Sequence, residues 1–279
     1  MTTIKLPSSG TPVTLPDGLS QQTLQDFSPF NRWLDKLTSS LKLQHTNQSH
    51  PFHEEPYALR GITIQSYDLF GGERLGFLKL KADVSNDQGE TLPGAIFLRG
   101  PSVAMLVMLV PDDVAPGSRE EEDERHVVLT VQPRVPAGSL EFVELPAGMV
   151  DGGTFSGAAA KEIHEELDLV IQESELRSLS DLAGGGERQE PAGGEGLPDA
   201  MYPSAGGCDE FIPIFMHERR VDRKSLDEWT GKLTGLRDHG EKITLKLVKM
   251  KDLWKEGRRD AKCLAAVALW EGLRREGKL

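Results

Sequence analysis

From Val103 to Val110 every residue is apolar, in the run VAMLVMLV. A membrane-spanning helix needs about 20 such residues, so this segment cannot cross a bilayer. It shows neither the two-residue alternation of a half-exposed strand nor the period of an amphipathic helix. A short unbroken apolar run reads as a central strand buried on both faces. Such a strand needs packing partners above and below it.

The chain supplies that material. It has 279 residues, 38% of them hydrophobic, which suits one main domain with an N-terminal extension. Residues 1–20 are rich in Pro, Gly, Ser and Thr and are expected to form a loosely ordered arm. Helical spacing of Phe30, Trp33, Leu34, Leu37 and Leu41 predicts a helix over 21–43 that docks on the core. Residues 44–56 read as a linker. ITIQSYDLF and RLGFLKLKADV flank Gly71-Gly72 and predict a hairpin.

Residues 111–125 are expected to be a solvated acidic loop. HVVLTVQPRV is the next strand, with the preceding apolar strand as its expected partner. Helices are predicted over 156–167 and 259–276, the second with an apolar face of Cys263, Ala266, Val267 and Trp270. FIPIFMHE and KITLKLVKM read as further strands. Residues 183–200, rich in Gly and Pro, are expected to be a mobile loop. Strands and helices do not alternate regularly. The fold class is therefore α+β, or a sheet sandwiched by helices, rather than doubly wound.

The formal net charge is -12. A general nucleic-acid binder would carry a basic footprint, so no nucleic-acid partner is expected. An acidic chain can bind an anion only through a local device, such as a metal ion or a few placed cations. Cys208 and Cys263 are the two cysteines, and they suggest neither a disulfide framework nor a zinc cluster. The N-terminus lacks the apolar run of a signal peptide and the Arg-rich pattern of a transit peptide. The expected location is cytoplasmic, or alternatively nuclear, with no membrane partner.

Chemistry concentrates in ELPAGMVDGGTFSGAAAKEIHEELDL, Glu144 to Leu169. Glu162, Glu165 and Glu166 stand at i, i+3 and i+4, within an arc of roughly 100° on a helix. Ile163 and Leu167 form an adjacent apolar stripe that can anchor it. Ser156 is the expected N-cap. Like charges so placed repel one another, and a hard divalent cation such as Mg²⁺ would relieve that repulsion. A solvated acidic face is the competing reading of the carboxylates alone.

This strand–loop–helix resembles the Nudix box. In that family the pattern is Gly, five residues, Glu, seven residues, then Arg-Glu-apolar-x-Glu-Glu-x-Gly-apolar. Gly148 opens it here, and KEIHEELDL fills its second half. Thr154 stands at the first Glu position, Lys161 at the Arg and Asp168 at the Gly. The spacing from Gly148 to Lys161 is one residue short. The segments FLRGPSVAMLVML, VQPRVPAGSLEFVELPAGM, YPSAGGCDE and TGLRDHGEKITLKLV are similar to the ADP-sugar diphosphatase and ADP-ribose pyrophosphatase branch, plant-type ADP-glucose hydrolysing members included. That resemblance runs from about residue 60 to the C-terminus.

The resemblance implies a Nudix α/β/α sandwich with a mixed sheet over 99–279. It further implies an N-terminal antiparallel β-sheet over 57–98 that joins two subunits of a homodimer, with 1–56 as an arm and helix. It implies Mg²⁺, or Mn²⁺ in its place, held by Glu162, Glu166 and the carbonyl of Ala147. Glu165 would hold a further metal or Lys161. Arg134 would contact the substrate phosphates, Arg99 the nucleotide, and Glu210 the sugar and nucleotide. Glu241 would act as general base or additional ligand. His164 lies off the carboxylate face, and Cys208 is not read as a nucleophile. The implied reaction is hydrolysis of a nucleoside-diphosphate sugar such as ADP-glucose or ADP-ribose to AMP and a sugar phosphate. GDP-mannose or a dinucleotide is the alternative substrate, and a catalytically silent nucleotide-binding module is the alternative class.

Overall fold

The computed structural model describes residues 1–7, 9–150, 152–184, 194–235 and 242–279. The chain divides into two compact units. The first comprises Met1–Pro101, Arg188–Pro198 and Ser204–Phe211. The second comprises Ser102–Glu187, Asp199–Pro203 and Ile212–Leu279.

The first unit is a six-stranded sheet with two helices. Strands β1 (Thr2–Lys5) and β2 (Pro12–Leu15) form a hairpin, and β2 runs parallel to β3 (Ala58–Phe70). The expected loose arm is thus corrected to ordered sheet. Its composition resembles a loop, but Val13 and Leu15 point to one side and are almost fully buried, which suffices to dock a short strand.

The helix expected over 21–43 is two helices, α1 (Gln21–Asp26) and α2 (Ser28–Thr46), broken at the extended residue Phe27. Pro29 then lies in the first turn of α2, where a missing N–H costs nothing. At the other end of α2 the buried Gln44 side chain accepts from Tyr57 N–H at 2.8 Å and donates to Tyr57 carbonyl at 3.1 Å. This exchange fixes the start of β3.

β3 turns through Gly71 and Gly72, both at positive φ, into β4 (Arg74–Ser85). The short strands β5 (Thr91–Leu92) and β6 (Ala95–Leu98) also pair with β4. Leu78, Leu80, Ala82 and Val84 alternate inward and share a core with Ile62, Ile64 and Phe30, against which Trp33, Leu34, Leu37 and Leu41 pack.

In the second unit the apolar run is β7 (Ser102–Pro111), buried at all ten positions. After α3 (Arg119–Glu124) come β8 (His126–Arg134), β9 (Ser139–Glu144) and β10 (Ala147–Met149). Helix α4 (Phe155–Leu167), β11 (Arg177–Ser178), α5 (Leu179–Ala183) and β12 (Ile214–Val221) follow. The unit ends with α6 (Arg223–Trp229), β13 (Leu233–Thr234), β14 (Ile243–Lys249), α7 (Leu253–Glu256) and α8 (Ala261–Arg275).

The strand order is β11-β12-β7-β8-β14-β13, with β10 on β7 and β9 on β8. β12 and β7 are parallel and the other pairs antiparallel, so the sheet is mixed. β8 does pair with β7, but over only two residue pairs, Met108 with Val127 and Leu109 with His126.

β7 alternates between two cores. Val103, Met105, Val107 and Leu109 pack with Ala159, Ile163 and Leu167 of α4. Ala104, Leu106 and Met108 pack with Cys263, Ala266, Trp270 and Leu273 of α8 and Leu179 of α5. Helices therefore cover both faces, giving the α+β, α/β/α sandwich expected.

The stretch 111–125 is corrected from a solvated loop. It carries α3, and Glu121 is buried where it accepts from Gly117 N–H at 2.7 Å and from Arg220 Nη1 at 2.6 Å. Those bonds hold its carboxyl below the usual carboxylate range in spite of burial. Of the expected mobile loop, residues 185–193 lie outside the described residues. Cys208 and Cys263 are both free. Among the described residues no helix is long and apolar enough to cross a membrane.

Leu106 is fully buried in the α8-side core. Leu106→Ala is expected to lower stability by about 2–5 kcal/mol, seen as an earlier urea midpoint at unchanged slope.

Candidate active site

Helix α4 presents the predicted carboxylates. Its N-cap is Thr154, whose Oγ1 accepts from Gly157 N–H at 3.0 Å, and not Ser156 as expected. Ser156 instead lies inside the first turn and donates to Glu173 Oε2 at 2.8 Å, as Thr154 Oγ1 does at 3.1 Å. A carboxylate near a helix N-terminus is favoured by the backbone dipole. The residue standing in place of the first Glu of the box is therefore spent on capping. The helix ends at Asp168, the single non-glycine residue described with positive φ, at 55°. Lys232 Nζ pairs with its carboxylate at 3.0 Å and holds the Asp168 carboxyl below the usual range.

Burial of Ala159, Ile163 and Leu167 fixes the rotation of α4. The neighbouring face then carries Glu162, Glu165 and Glu166, while His164 is exposed. Glu162 lies directly over Gly148 of β10. A Cβ built on Gly148 would collide with the Glu162 carboxylate, so the carboxylate can lie there only over a glycine. Glu166 is only 2% exposed. Its Oε1 accepts from Gln132 Nε2 at 3.4 Å and its Oε2 from Ala147 N–H at 3.2 Å. Glu165 is half-buried and pairs with Lys161 Nζ at 3.5 Å, one turn away on the helix surface.

Arg134 ends β8. Its Nε donates to Glu144 Oε1 at 2.6 Å. Glu144 is buried, and its Oε2 accepts from Lys262 Nζ at 2.8 Å. Lys262 also donates to Asp260 Oδ1 at 2.9 Å. Asp260, the N-cap of α8, accepts from Leu145 N–H at 2.9 Å through its other oxygen. Burial alone would depress the Lys262 ammonium, but Asp260 and Glu144 more than reverse that, and its pKa stands above the ordinary lysine value. Burial, with the charge of Asp260, pushes the Cys263 thiol far up, so it is no nucleophile.

The structure thus brings Ala147, Glu162, Glu165, Glu166 and Arg134 into the second unit. Arg99 and Glu210 belong to the first unit, where they pair at 3.4 Å. Asp209, which precedes Glu210, accepts through its carboxylate from the N–H groups of Arg99 at 2.8 Å and Gly100 at 3.1 Å. Burial raises the Asp209 carboxyl against those bonds, and burial lowers the Arg32 guanidinium beside it. Glu241 lies outside the described residues.

Sequence reasoning missed Gln132, Glu144, Glu173, Asp260 and Lys262. Only Glu144, at the head of ELPAG, had a local signal.

The donor set suits a hard cation. Oxygen alone is offered, by carboxylates on one helix face, with Glu162 lying above a glycine that leaves it room. Among the described residues no three His, Cys, Asp or Glu side chains converge on one point. Mg²⁺ needs no more than one or two carboxylates, since water or substrate phosphate completes its shell.

No family model matches the chain. "Nudix hydrolase 14, chloroplastic" of Arabidopsis thaliana is 36% identical over 255 residues, which cover 90% of this chain and 72% of that protein. A solved structure described as "Crystal structure of ADP compounds hydrolase" aligns with 80% of this chain and 97% of its own at 15% identity and TM-score 0.46.

Gly148→Ala is expected to expel the Glu162 carboxylate while the fold persists, because the far end of a flexible side chain can move. Calorimetric titration with Mn²⁺ should show at least about tenfold weaker binding. Unchanged Mn²⁺ affinity would remove Glu162 from the metal site.

Proposed function

The chain belongs to the Nudix hydrolases, and we propose that it cleaves the diphosphate of a nucleoside-diphosphate sugar, an ADP-sugar foremost, to AMP and a sugar phosphate. The observation that carries this reading is the pair of carboxylates on α4. Glu162 is laid over Gly148, and Glu166 is anchored by Gln132 and the Ala147 peptide. A solvated acidic face would leave Glu166 in water, whereas it is buried. The choice of an ADP-sugar is supported by the resemblance of FLRG, QPRV and SAGGCDE to that branch.

Glu162 and Glu166 would hold Mg²⁺, with Mn²⁺ as a substitute, assisted by the carbonyl of Ala147. When bound, the ion neutralises diphosphate oxygens and lowers the pKa of a coordinated water. Arg134 binds and orients the phosphates. Its Nε is engaged by Glu144, and among the described residues its two terminal nitrogens remain to form charge-assisted hydrogen bonds with phosphate oxygens. Glu165 keeps Lys161 against the helix, so the carboxylate face carries one neutralising cation of its own. Glu241 is proposed from the resemblance as the proton acceptor for the attacking water. Arg99 and Glu210 are proposed as contacts to nucleotide and sugar. The sheet of the first unit is proposed as the homodimer element, and the cytoplasm as the compartment.

The test is AMP release from ADP-glucose and ADP-ribose, with Mg²⁺ or with excess EDTA, beside GDP-mannose and a dinucleotide. Glu166→Gln keeps an oxygen for the Ala147 N–H and should fold. It should lower kcat by about 10²- to 10³-fold, the value of several kcal/mol of lost charge stabilisation. Turnover of GDP-mannose alone would change the substrate. Nucleotide binding with no product from any substrate would replace this reading by a silent binding module.

A further inference from the structure

Arg134, Glu144, Lys262 and Asp260 form a line of alternating charge running inward from the end of β8. The exposures of their side chains are 40%, 4%, 12% and 4%. We infer that Glu144 and Lys262 are positioning residues that set how Arg134 is presented to the substrate diphosphate. The inference rests on the reading of Arg134 as a phosphate contact.

A carboxylate has two oxygens, and an unopposed arginine tends to take both with two nitrogens. Here Lys262 Nζ occupies Oε2 of Glu144 at 2.8 Å. Arg134 takes the other oxygen, reaching Oε1 through Nε at 2.6 Å, and the lysine on Oε2 competes with a second arginine nitrogen there. The contact is therefore made at the inner edge of the guanidinium. Among the described residues neither terminal nitrogen is engaged, which leaves them for a bidentate grip on phosphate, a geometry a planar fork provides and a lysine does not. Lys262 is held in turn by Asp260, and Asp260 by the Leu145 N–H. Leu145 follows Glu144 and precedes Pro146-Ala147, so one buried lysine braces both the arginine and the strand that leads to the carboxylate site.

A merely structural ion cluster would look similar, so the test must separate stability from presentation. The variants are Lys262→Met, the charge-neutral pair Glu144→Gln with Lys262→Met, Arg134→Ala, and their combinations. Removing one partner of a buried pair can unfold a protein, whereas removing both charges together is far better tolerated, and Asp260 keeps the backbone N–H groups of Leu145 and residue 262 when the lysine side chain is gone. The charge-neutral pair therefore answers if Lys262→Met alone fails to fold. Both are read by kcat and KM for ADP-ribose and ADP-glucose, and by the calorimetric Kd for ADP.

In the Arg134 background, the charge-neutral pair should lower kcat/KM by about 100-fold, the cost of misplacing a group that holds the substrate by an ångström. In the Arg134→Ala background the same pair should change it by less than about twofold, because two residues acting through one arginine are not additive with its loss. Equal losses in both backgrounds would overturn the inference while leaving the proposed reaction intact. If neither sugar is hydrolysed, the same cycle on the ADP Kd decides. Weakening confined to the Arg134 background upholds positioning although the proposed reaction has failed. Absence of ADP binding, or weakening in both backgrounds, overturns it.

Discussion

The ten residues of β7 have no face turned to water, and the rest of the second unit follows from that. Apolar surface on both sides of one strand has to be covered twice, at a gain of about 25 cal/mol for each Å² removed from water. Helix α4 covers one side with Ala159, Ile163 and Leu167, and α8 covers the other with Cys263, Ala266 and Trp270. The apolar stripe of α4 leaves no freedom in its rotation. Glu162 and Glu166 then stand at β10, itself paired to β7: Gly148 gives Glu162 the space of a missing side chain, and Ala147 N–H bonds Glu166. The functional face of the helix is the by-product of how its other face is buried.

Charge in this unit is placed with the same economy. The net charge of -12 would repel a diphosphate, yet the site draws on few cations. Arg134 and Lys262 are paired with Glu144 and Asp260 in one alternating line. Breaking such a line by removing one member leaves a buried charge without a partner, at about 3–5 kcal/mol. The pairing also explains why Lys262 stays an ammonium ion in a site that would otherwise neutralise it.

How much of this could be read in the sequence depends on how local the signal was. The β7 run and the spacing of Glu162, Glu165 and Glu166 are carried by neighbouring residues, and both are found where expected. The hairpin at 1–20 was hidden because two inward residues, Val13 and Leu15, were set among Pro, Gly, Ser and Thr. The break at Phe27 lies before the stripe, whose residues from Phe30 to Leu41 all sit on α2, so periodicity could not show it. Thr154 took the capping role because it, and not Ser156, has the extended backbone that lets a side chain reach back to an N–H. Lys262 and Asp260 meet Glu144 and Leu145 across more than a hundred residues, and no spacing rule connects them. The buried Glu121 shows the same limit, since its partner Arg220 lies 99 residues away.

The central claim is that the carboxylates of α4 hold a divalent cation over Gly148 for cleavage of a diphosphate. The measurement that tests it most directly is anomalous diffraction from crystals grown with Mn²⁺ and a non-hydrolysable ADP-sugar analogue. The expected result is a Mn²⁺ peak bonded to Glu162 and Glu166 and to a diphosphate oxygen, with Arg134 on the same diphosphate. A bound analogue whose Mn²⁺ lies away from α4, with Glu166 still bonded to Gln132 and Ala147, would contradict it.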